Sequence, residues 1–440
     1  MRPSPKHPAP VRSSLLRLGS AAAALVLALA ACGGGPQDKG AAAPVPGVTD
    51  EPCPKAVNPD NGCIYLGIIS DLSSGPFRLI GSSTTAAQQA FWRRVNQQGG
   101  IGGYDIDATT YVRDNKYDVA THKRAYQEIR TKVLALAQTL GSPMTTEILP
   151  LLKKDKMVAS TVSWTSLWEF EDILIKSGTN YCFEAMNAVD YAVEAWGIDS
   201  VMAVHYPGDY GGDAAGGARI AAERNRLKFT DVPTPTGADK QRPAIDKIVK
   251  ESPDLVLLST GPQEATVLIG QATARGYRGR FIGSAPSWSK LMLKVKDRTT
   301  AEAIRTRFLQ AAPWKPFATD TPGHAAMRAA LGKVDPNDAY MAGWIWSYPL
   351  KTVLQTAIDQ NKLTRAGLYQ TLRNLGAVDY EGMLPTERTT GPGRAPASMR
   401  STVLNTPADD GYTGVKTVKD FFTGPTARDH TLTEPCFKAS

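Results

Sequence analysis

The chain has 440 residues, 42% of them hydrophobic and 21% charged, with 39 Gly, 31 Pro and five Cys. At roughly 150 residues per domain this length gives two or three globular units. The composition excludes wholesale disorder, a collagen-like repeat and a disulfide-dense miniprotein. A formal charge of +8 would point to nucleic acid if the folded body carried it, but half of it sits at the N-terminus. Residues 1–17 hold Arg2, Lys6, Arg12 and Arg17 and no acid. Residues 18–31 are then uncharged and apolar. That run of about 14 residues is too short for a spanning helix, which needs roughly 20, and suits a signal-peptide core. With residues 1–31 read as a signal peptide, nucleic acid is not expected as a partner.

The run ends in Leu29-Ala30-Ala31-Cys32, which resembles a bacterial lipobox. The resemblance implies cleavage before Cys32, a diacylglycerol on its sulfur and a membrane anchor on the extracytoplasmic side. Gly33-Gly-Gly-Pro36 and Ala41-Ala-Ala-Pro-Val-Pro46 follow, a composition that cannot bury a core. We read residues 32–62 as the lipidated cysteine and a flexible tether. No later stretch approaches 18 apolar residues, so lipid is the expected membrane attachment. With Cys32 acylated, Cys53, Cys63, Cys182 and Cys436 are left to pair in an oxidising compartment. A local bridge between Cys53 and Cys63 around Pro59-Asp-Asn-Gly62 would leave Cys182 for Cys436; other connectivities stay open.

From residue 64 onward, short apolar runs alternate with helical patterns. Strands are expected at 64–70, 105–112, 133–137, 157–162, 200–206, 254–259 and 280–283. Helix 84–97 places Ala87, Phe91 and Val95 on one face and stops at Gly99-Gly100. Helix 240–250 aligns Ile245, Ile248 and Val249 before Pro253. Strands alternating with helices predict an α/β fold with parallel sheets. The series restarts near Tyr181, which suggests two similar lobes with Tyr181-Cys-Phe183 as the link. Further helices are expected at 301–310, 324–331, 339–360 and 364–375, and strand-like pieces at 399–422.

Catalytic motifs are sparse. Ser287-Trp-Ser-Lys290 fits the Ser-x-x-Lys of exported penicillin-binding proteins and β-lactamases, without a Lys-Thr-Gly partner. The glycines at 208, 211, 212, 216 and 217 do not make a dinucleotide fingerprint. There is no His-Glu-x-x-His or paired-cysteine motif, and His205 alone reads as a core residue. No enzyme activity, cofactor or metal is expected.

Several segments, in order, resemble type I periplasmic binding proteins of the leucine/isoleucine/valine-binding branch. They are Leu66-Gly-Ile-Ile-Ser-Asp-Leu-Ser-Ser-Gly-Pro76; Asn96-Gln-Gln-Gly-Gly-Ile-Gly-Gly103 with Asp114 beyond it; Tyr210-Gly211; and Pro253-Asp-Leu-Val256. The resemblance implies two Rossmann-like lobes, 63–182 with 312–380 and 183–311 with 381–440, joined by a three-crossover hinge. It also implies a monomer that closes on a small ligand and delivers it to an ABC permease. A sensor handing its closed state to a membrane receptor would look the same.

Ligands of open α/β sheets sit at the carboxyl ends of strands, where helix N-termini favour anions. Gly141-Ser-Pro-Met-Thr-Thr146 fits such a place, giving Ser142, Thr145 and Thr146, although helix capping accounts for the same hydroxyls. The resemblance adds Ser73, then Ser163, Trp164 and Thr165 in the next loop, and Tyr210, Thr260 and Trp288 in the second lobe. Where the family's amino-acid binders carry an acid for the ligand's ammonium, this chain has Ser284-Ala285-Pro286. A loop tyrosine is replaced by Gly261. An α-amino acid would then need Asp71 or Asp209 as its partner, because a buried unpaired ammonium is costly. An amide, a carboxylate or an aromatic compound needs neither.

Overall fold

The computed structural model describes residues 44–385 and 399–438, so Cys32 and the signal segment lie outside the described residues. Two sheets organise these residues. The first contains β2 (Gly62–Ser70), β3 (Tyr104–Asp114), β4 (Ala135–Leu140), β5 (Ala159–Val162) and β6 (Leu174–Ile175), parallel in the order β3-β2-β4-β5-β6. A short β1 (Val48–Thr49) adds antiparallel to β2. β2 and β4 are buried along nearly their whole length, as a parallel sheet covered on both faces requires.

The second sheet runs β8-β7-β9-β10-β11-β12-β13. β7 (Ser200–His205), β8 (Lys228–Pro233), β9 (Leu255–Ser259), β10 (Arg280–Gly283) and β11 (Phe308–Ala312) are parallel. β12 (Thr402–Pro407) and β13 (Val415–Phe422) extend it antiparallel.

Helices cover both sheets. Around the first lie α1 (Arg78–Gln97), α2 (Val119–Ile129) and α3 (Ser142–Asp155), joined later in the chain by α9 (Pro322–Leu331), α10 (Ala339–Asp359) and α11 (Arg365–Arg373). Gly343 lets α10 press on α1, since a Cβ there would stand 2.1 Å from the Thr84 carbonyl. Phe91 then meets Trp344 and Tyr348 edge-on at 5.1 and 5.0 Å. Around the second sheet lie α4 (Tyr181–Trp196), α5 (Asp209–Asn225), α6 (Arg242–Glu251), α7 (Pro262–Ala274), α8 (Arg298–Arg307) and α12 (Pro425–Asp429).

The chain passes between the sheets after β6, after β11 and after α11, and these passages touch. The Ser177 hydroxyl lies 2.8 Å from the Tyr380 hydroxyl. The Gly178 amide donates to the Met399 sulfur at 3.1 Å, and the Thr179 hydroxyl donates to the Ser401 carbonyl. A Cβ on Gly178 would lie 3.1 Å from Pro313.

All seven expected strands form, and three expectations need correction. Tyr181-Cys-Phe183 is not a link but the first turn of α4, because the Asn180 side chain accepts the Phe183 amide at 2.9 Å and starts the helix there. The helix expected at 301–310 stops at Arg307. Phe308 onward is β11, where pairing with β10 and burial override the helical pattern. β8 was not anticipated. The tether does not extend to residue 62: β1 pairs with β2, and the Asp105 carboxylate collects the Val57 and Asn58 amides at 2.7 and 3.0 Å. Both disulfides occur in the anticipated pairing, Cys53–Cys63 with Cα atoms 4.9 Å apart and Cys182–Cys436 at 6.2 Å.

Candidate ligand-binding site

The carboxyl ends of the parallel strands of both sheets lead into the same region. Gly141, with φ 97°, turns the chain from β4 into α3. Gly208, with φ 98°, does the same from β7 into α5. Glycine suits both because an L side chain at such φ is strained. The two helix N-termini approach each other there, with the Ser142 hydroxyl beside the Asp209 carboxylate. Burial pushes the Asp209 carboxyl above its ordinary range, and its Oδ2 has no hydrogen-bond partner. Tyr117 stands beside it, packed on Phe77 at 4.9 Å, and burial raises its phenol.

One turn into α5, Asp213 is wholly buried. It accepts the Ser166 amide at 2.9 Å and the Cys182 amide at 3.1 Å, together with the Ser166 hydroxyl. Burial nevertheless pushes its carboxyl up to about 7. This residue therefore ties the loop after β5 to the start of α4.

The expected site residues divide. Ser142 and Tyr210 lie where the helix N-termini converge. The Tyr210 hydroxyl is 2.5 Å from Ser284 Oγ and 3.3 Å from the Thr260 carbonyl, so Thr260 takes part through its backbone. Its own hydroxyl donates to the Gly261 carbonyl at 3.3 Å. Trp164 joins an aromatic cluster, 4.3 Å from Trp346, 5.0 Å from Trp314 and 6.1 Å from Tyr181. Tyr181 in turn meets Tyr210 at 4.8 Å. The Trp164 indole donates to the Ser177 carbonyl at 3.1 Å, which places the cluster against the first passage between the sheets.

The others are engaged elsewhere. Thr145 is fully buried, its hydroxyl 3.0 Å from that of Thr139. Thr146 is exposed on the outer side of α3. Ser163 accepts the Trp168 indole at 2.9 Å. Thr165 caps the 3-10 turn that follows it. Ser73 donates to Asp114. Trp288 stacks on Phe308 at 5.8 Å inside the second sheet's core. Asp71 spends its carboxylate on the Gly75 and Phe77 amides at 2.9 and 3.0 Å, so it holds its own loop.

Ser287 and Lys290 do not form a catalytic pair. Ser287 is fully buried and donates to the Leu258 and Thr260 carbonyls, both at 2.9 Å. Lys290 pairs with Asp335 at 2.5 Å. His205 is a core histidine as expected, hydrogen-bonded to the Tyr206 carbonyl and to Asp231.

Beside Tyr181 a small cavity of about 20 Å³, room for about one water, lies in the second sheet's interior. Tyr181, Glu184, Ser259 and Ser284 contribute polar groups at the strand ends. Deeper in, alanines of α4, α5 and the strands face one another. Glu184 is 4% exposed, and burial pushes its carboxyl well above the ordinary range although it accepts the Ala285 amide.

These features describe a two-sheet α/β protein with polar groups gathered at the strand carboxyl ends. The family profile described as "Periplasmic binding protein" matches residues 64–411, and the chain belongs to that family. It is 28% identical to a fatty acid ABC transporter substrate-binding protein from Thermomonospora curvata, with a TM-score of 0.77 over 88% of this chain and 96% of that one. It shares its fold with a branched chain amino acid ABC transporter protein from Thermus thermophilus with bound valine, at 16% identity, TM-score 0.70, over 84% and 98% of the two chains. A solute binding protein from Rhodopseudomonas palustris HaA2 in complex with p-hydroxybenzoic acid matches at 16% identity and TM-score 0.68, over 83% and 98%. No curated protein sequence matches. Proteins of this family bind small ligands outside the cytoplasm and work with ABC permeases. No helix among the described residues is long and apolar enough to cross a membrane.

Proposed function

We propose that this chain is a lipoprotein anchored through Cys32 that captures a small amphipathic carboxylate between its two lobes and delivers it to an ABC permease. The observation that carries the reading is the junction at Tyr181, Tyr210 and Ser284. Hydroxyls and the α5 N-terminus, which suit an oxygen-bearing head, border the aromatic cluster around Trp164 there. Loss of the acid at Ser284-Ala285-Pro286 agrees with a ligand that brings no ammonium. The similarity to the fatty acid binder from Thermomonospora curvata supports the same ligand class.

A thermal-shift screen over carboxylic acids, aromatic acids, amides and α-amino acids tests it. A true ligand at 100 times its dissociation constant adds about 2.7 kcal/mol of stability. Amphipathic carboxylic acids are expected to raise the melting temperature most. A shift confined to α-amino acids would reassign the ligand and make Asp209 its ammonium partner.

A further inference from the structure

The turn between β3 and α2 is strained. Lys116 and Tyr117 both have left-handed backbones, with φ 53° and 55°, a conformation that residues with bulky side chains rarely adopt. The two preceding side chains hold it. Asp114 accepts the Lys116 amide at 3.0 Å and the Leu72 amide at 2.9 Å. Asn115 accepts the Tyr117 amide at 2.8 Å and, fully buried, donates to the Leu140 carbonyl at 3.1 Å. The turn is thereby fixed to the carboxyl ends of β2 and β4. Strain persists where the surroundings over-determine it, and it collects at functional sites.

This backbone delivers the Tyr117 ring to the cleft. Glycines make room for it: a Cβ on Gly75 would be 2.6 Å from the Tyr117 Cβ, and one on Gly141 3.0 Å from the ring. The Tyr117 hydroxyl has no hydrogen-bond partner among the described residues. From the other side of the cleft comes Asp209, whose Oδ2 is also unpartnered and buried; the two side chains act on each other electrostatically. The groups around them are acidic or neutral. Asp71 bears on Tyr117 from the loop after β2, and Ser142 faces Asp209 from α3. Asp209 in turn bears on Tyr181 of α4 and Asp213 of α5. The cations at neighbouring positions, Arg78 and Lys116, are exposed, and no cation among the described residues offsets the burial of Asp209. A carboxylate placed here meets no positive charge and depends on hydrogen-bond donors.

We propose that Tyr117 and Asp209 form a clamp across the cleft for the ligand's carboxyl group: the Tyr117 hydroxyl donates to one ligand oxygen, while Asp209 and the other ligand oxygen share one proton, which solvent supplies on binding. The inference rests on the amphipathic-carboxylate reading above and adds the residues that take the head group and the proton it brings. Burial already disfavours the charge on Asp209, and a second carboxylate beside it disfavours that charge further. An ammonium ligand would pair with Asp209 without any proton.

The test is isothermal titration of the intact folded protein with octanoate and with benzoate in buffers of different ionisation enthalpy. About one proton should be taken up per acid bound at pH 7, and affinity should fall up to about tenfold per pH unit between pH 6 and 8. Asp209→Asn offers an amide donor in place of the shared proton, so it should bind without uptake and with a flat pH profile. Tyr117→Phe keeps the ring and the turn; it should weaken both acids about tenfold or more while uptake stays near one. An acid that binds without proton uptake overturns the clamp and leaves the carboxylate reading standing. The same holds for uptake that survives Asp209→Asn, or for wild-type affinity in Tyr117→Phe. Should the variants fail to fold, proton uptake by the wild type alone decides. If neither acid binds but an α-amino acid does, the carboxylate reading falls and the clamp with it. If no solute of any class binds, solute capture falls as well.

Discussion

At the scale of single residues, the hydroxyls near the strand ends are mostly spent on holding the loops. Thr145 fits a ligand contact by sequence, yet it bonds Thr139 at the end of β4. Its neighbour Thr146 faces outward. A helix N-terminus was legible there, but which hydroxyl turns into the cleft depends on the rotation of α3, and the motif does not encode it. Asp213 was missed altogether, since an acid in a glycine-rich helix looks like any exposed acid.

Its burial has a measurable consequence. An aspartate raised from 3.8 to about 7 on folding binds more protons folded than unfolded between those values, so its contribution to stability is complete below about 4 and is lost as pH rises through 7. Asp213→Asn can keep one oxygen for the Ser166 and Cys182 amides and donate its amide to the Ser166 hydroxyl. The variant is expected to fold, and its urea stability relative to wild type should improve as pH rises from 4 to 7. Asp213→Ala should lose about 1–3 kcal/mol at acidic pH by leaving buried donors unpaired. A wild-type/Asn difference that stays flat with pH would show that this carboxyl titrates normally.

At the scale of elements, apolar runs betrayed the strands buried on both faces, such as β2, β4 and β9. Edge position hid β8, most of whose residues are exposed or half-buried, and a helical neighbour hid β11. The pairing of α4 with α5 was not legible either. It rests on glycines that the sequence shows as a cluster without saying what presses on them. Gly217→Val would drive a side chain into the Cys182 carbonyl, and overpacking of this kind costs about 1–3 kcal/mol or more. Replacing Cys182 and Cys436 together by serine should cost about 2–4 kcal/mol, as loss of a bridge across a long loop does. Denaturant midpoints compared with and without reductant measure it, and the serine variant should be insensitive to reductant at that bridge.

At the scale of the whole molecule, the resemblance gave the plan of two sheets and three passages, which no periodicity argument alone would have supplied. Tyr380, Met399 and Ser401 come together with Ser177–Thr179 from a distant part of the chain, a convergence that local patterns cannot show. The Ser142–Asp209 contact joins the two sides of the cleft. If the sides separate about the three passages, this contact breaks on opening. Small-angle scattering should then show a larger radius of gyration without ligand than with a saturating amphipathic acid. Ser142→Ala should weaken that acid and slow closure. An unchanged radius with ligand demonstrably bound would show that the sides do not move.

The interleaving of the chain bears on the order in which the protein can fold. The first sheet is covered by α9 to α11 only after the second sheet's parallel strands have been made. The second sheet then waits for β12, β13 and Cys436, 254 residues beyond Cys182. Neither half can be finished from an N-terminal fragment. Contacts this distant in sequence form slowly, and the bridge that locks the tail needs an oxidising environment. Completion of both sheets therefore waits on segments close to residue 436, so an N-terminal piece of this chain is expected to stay incompletely folded.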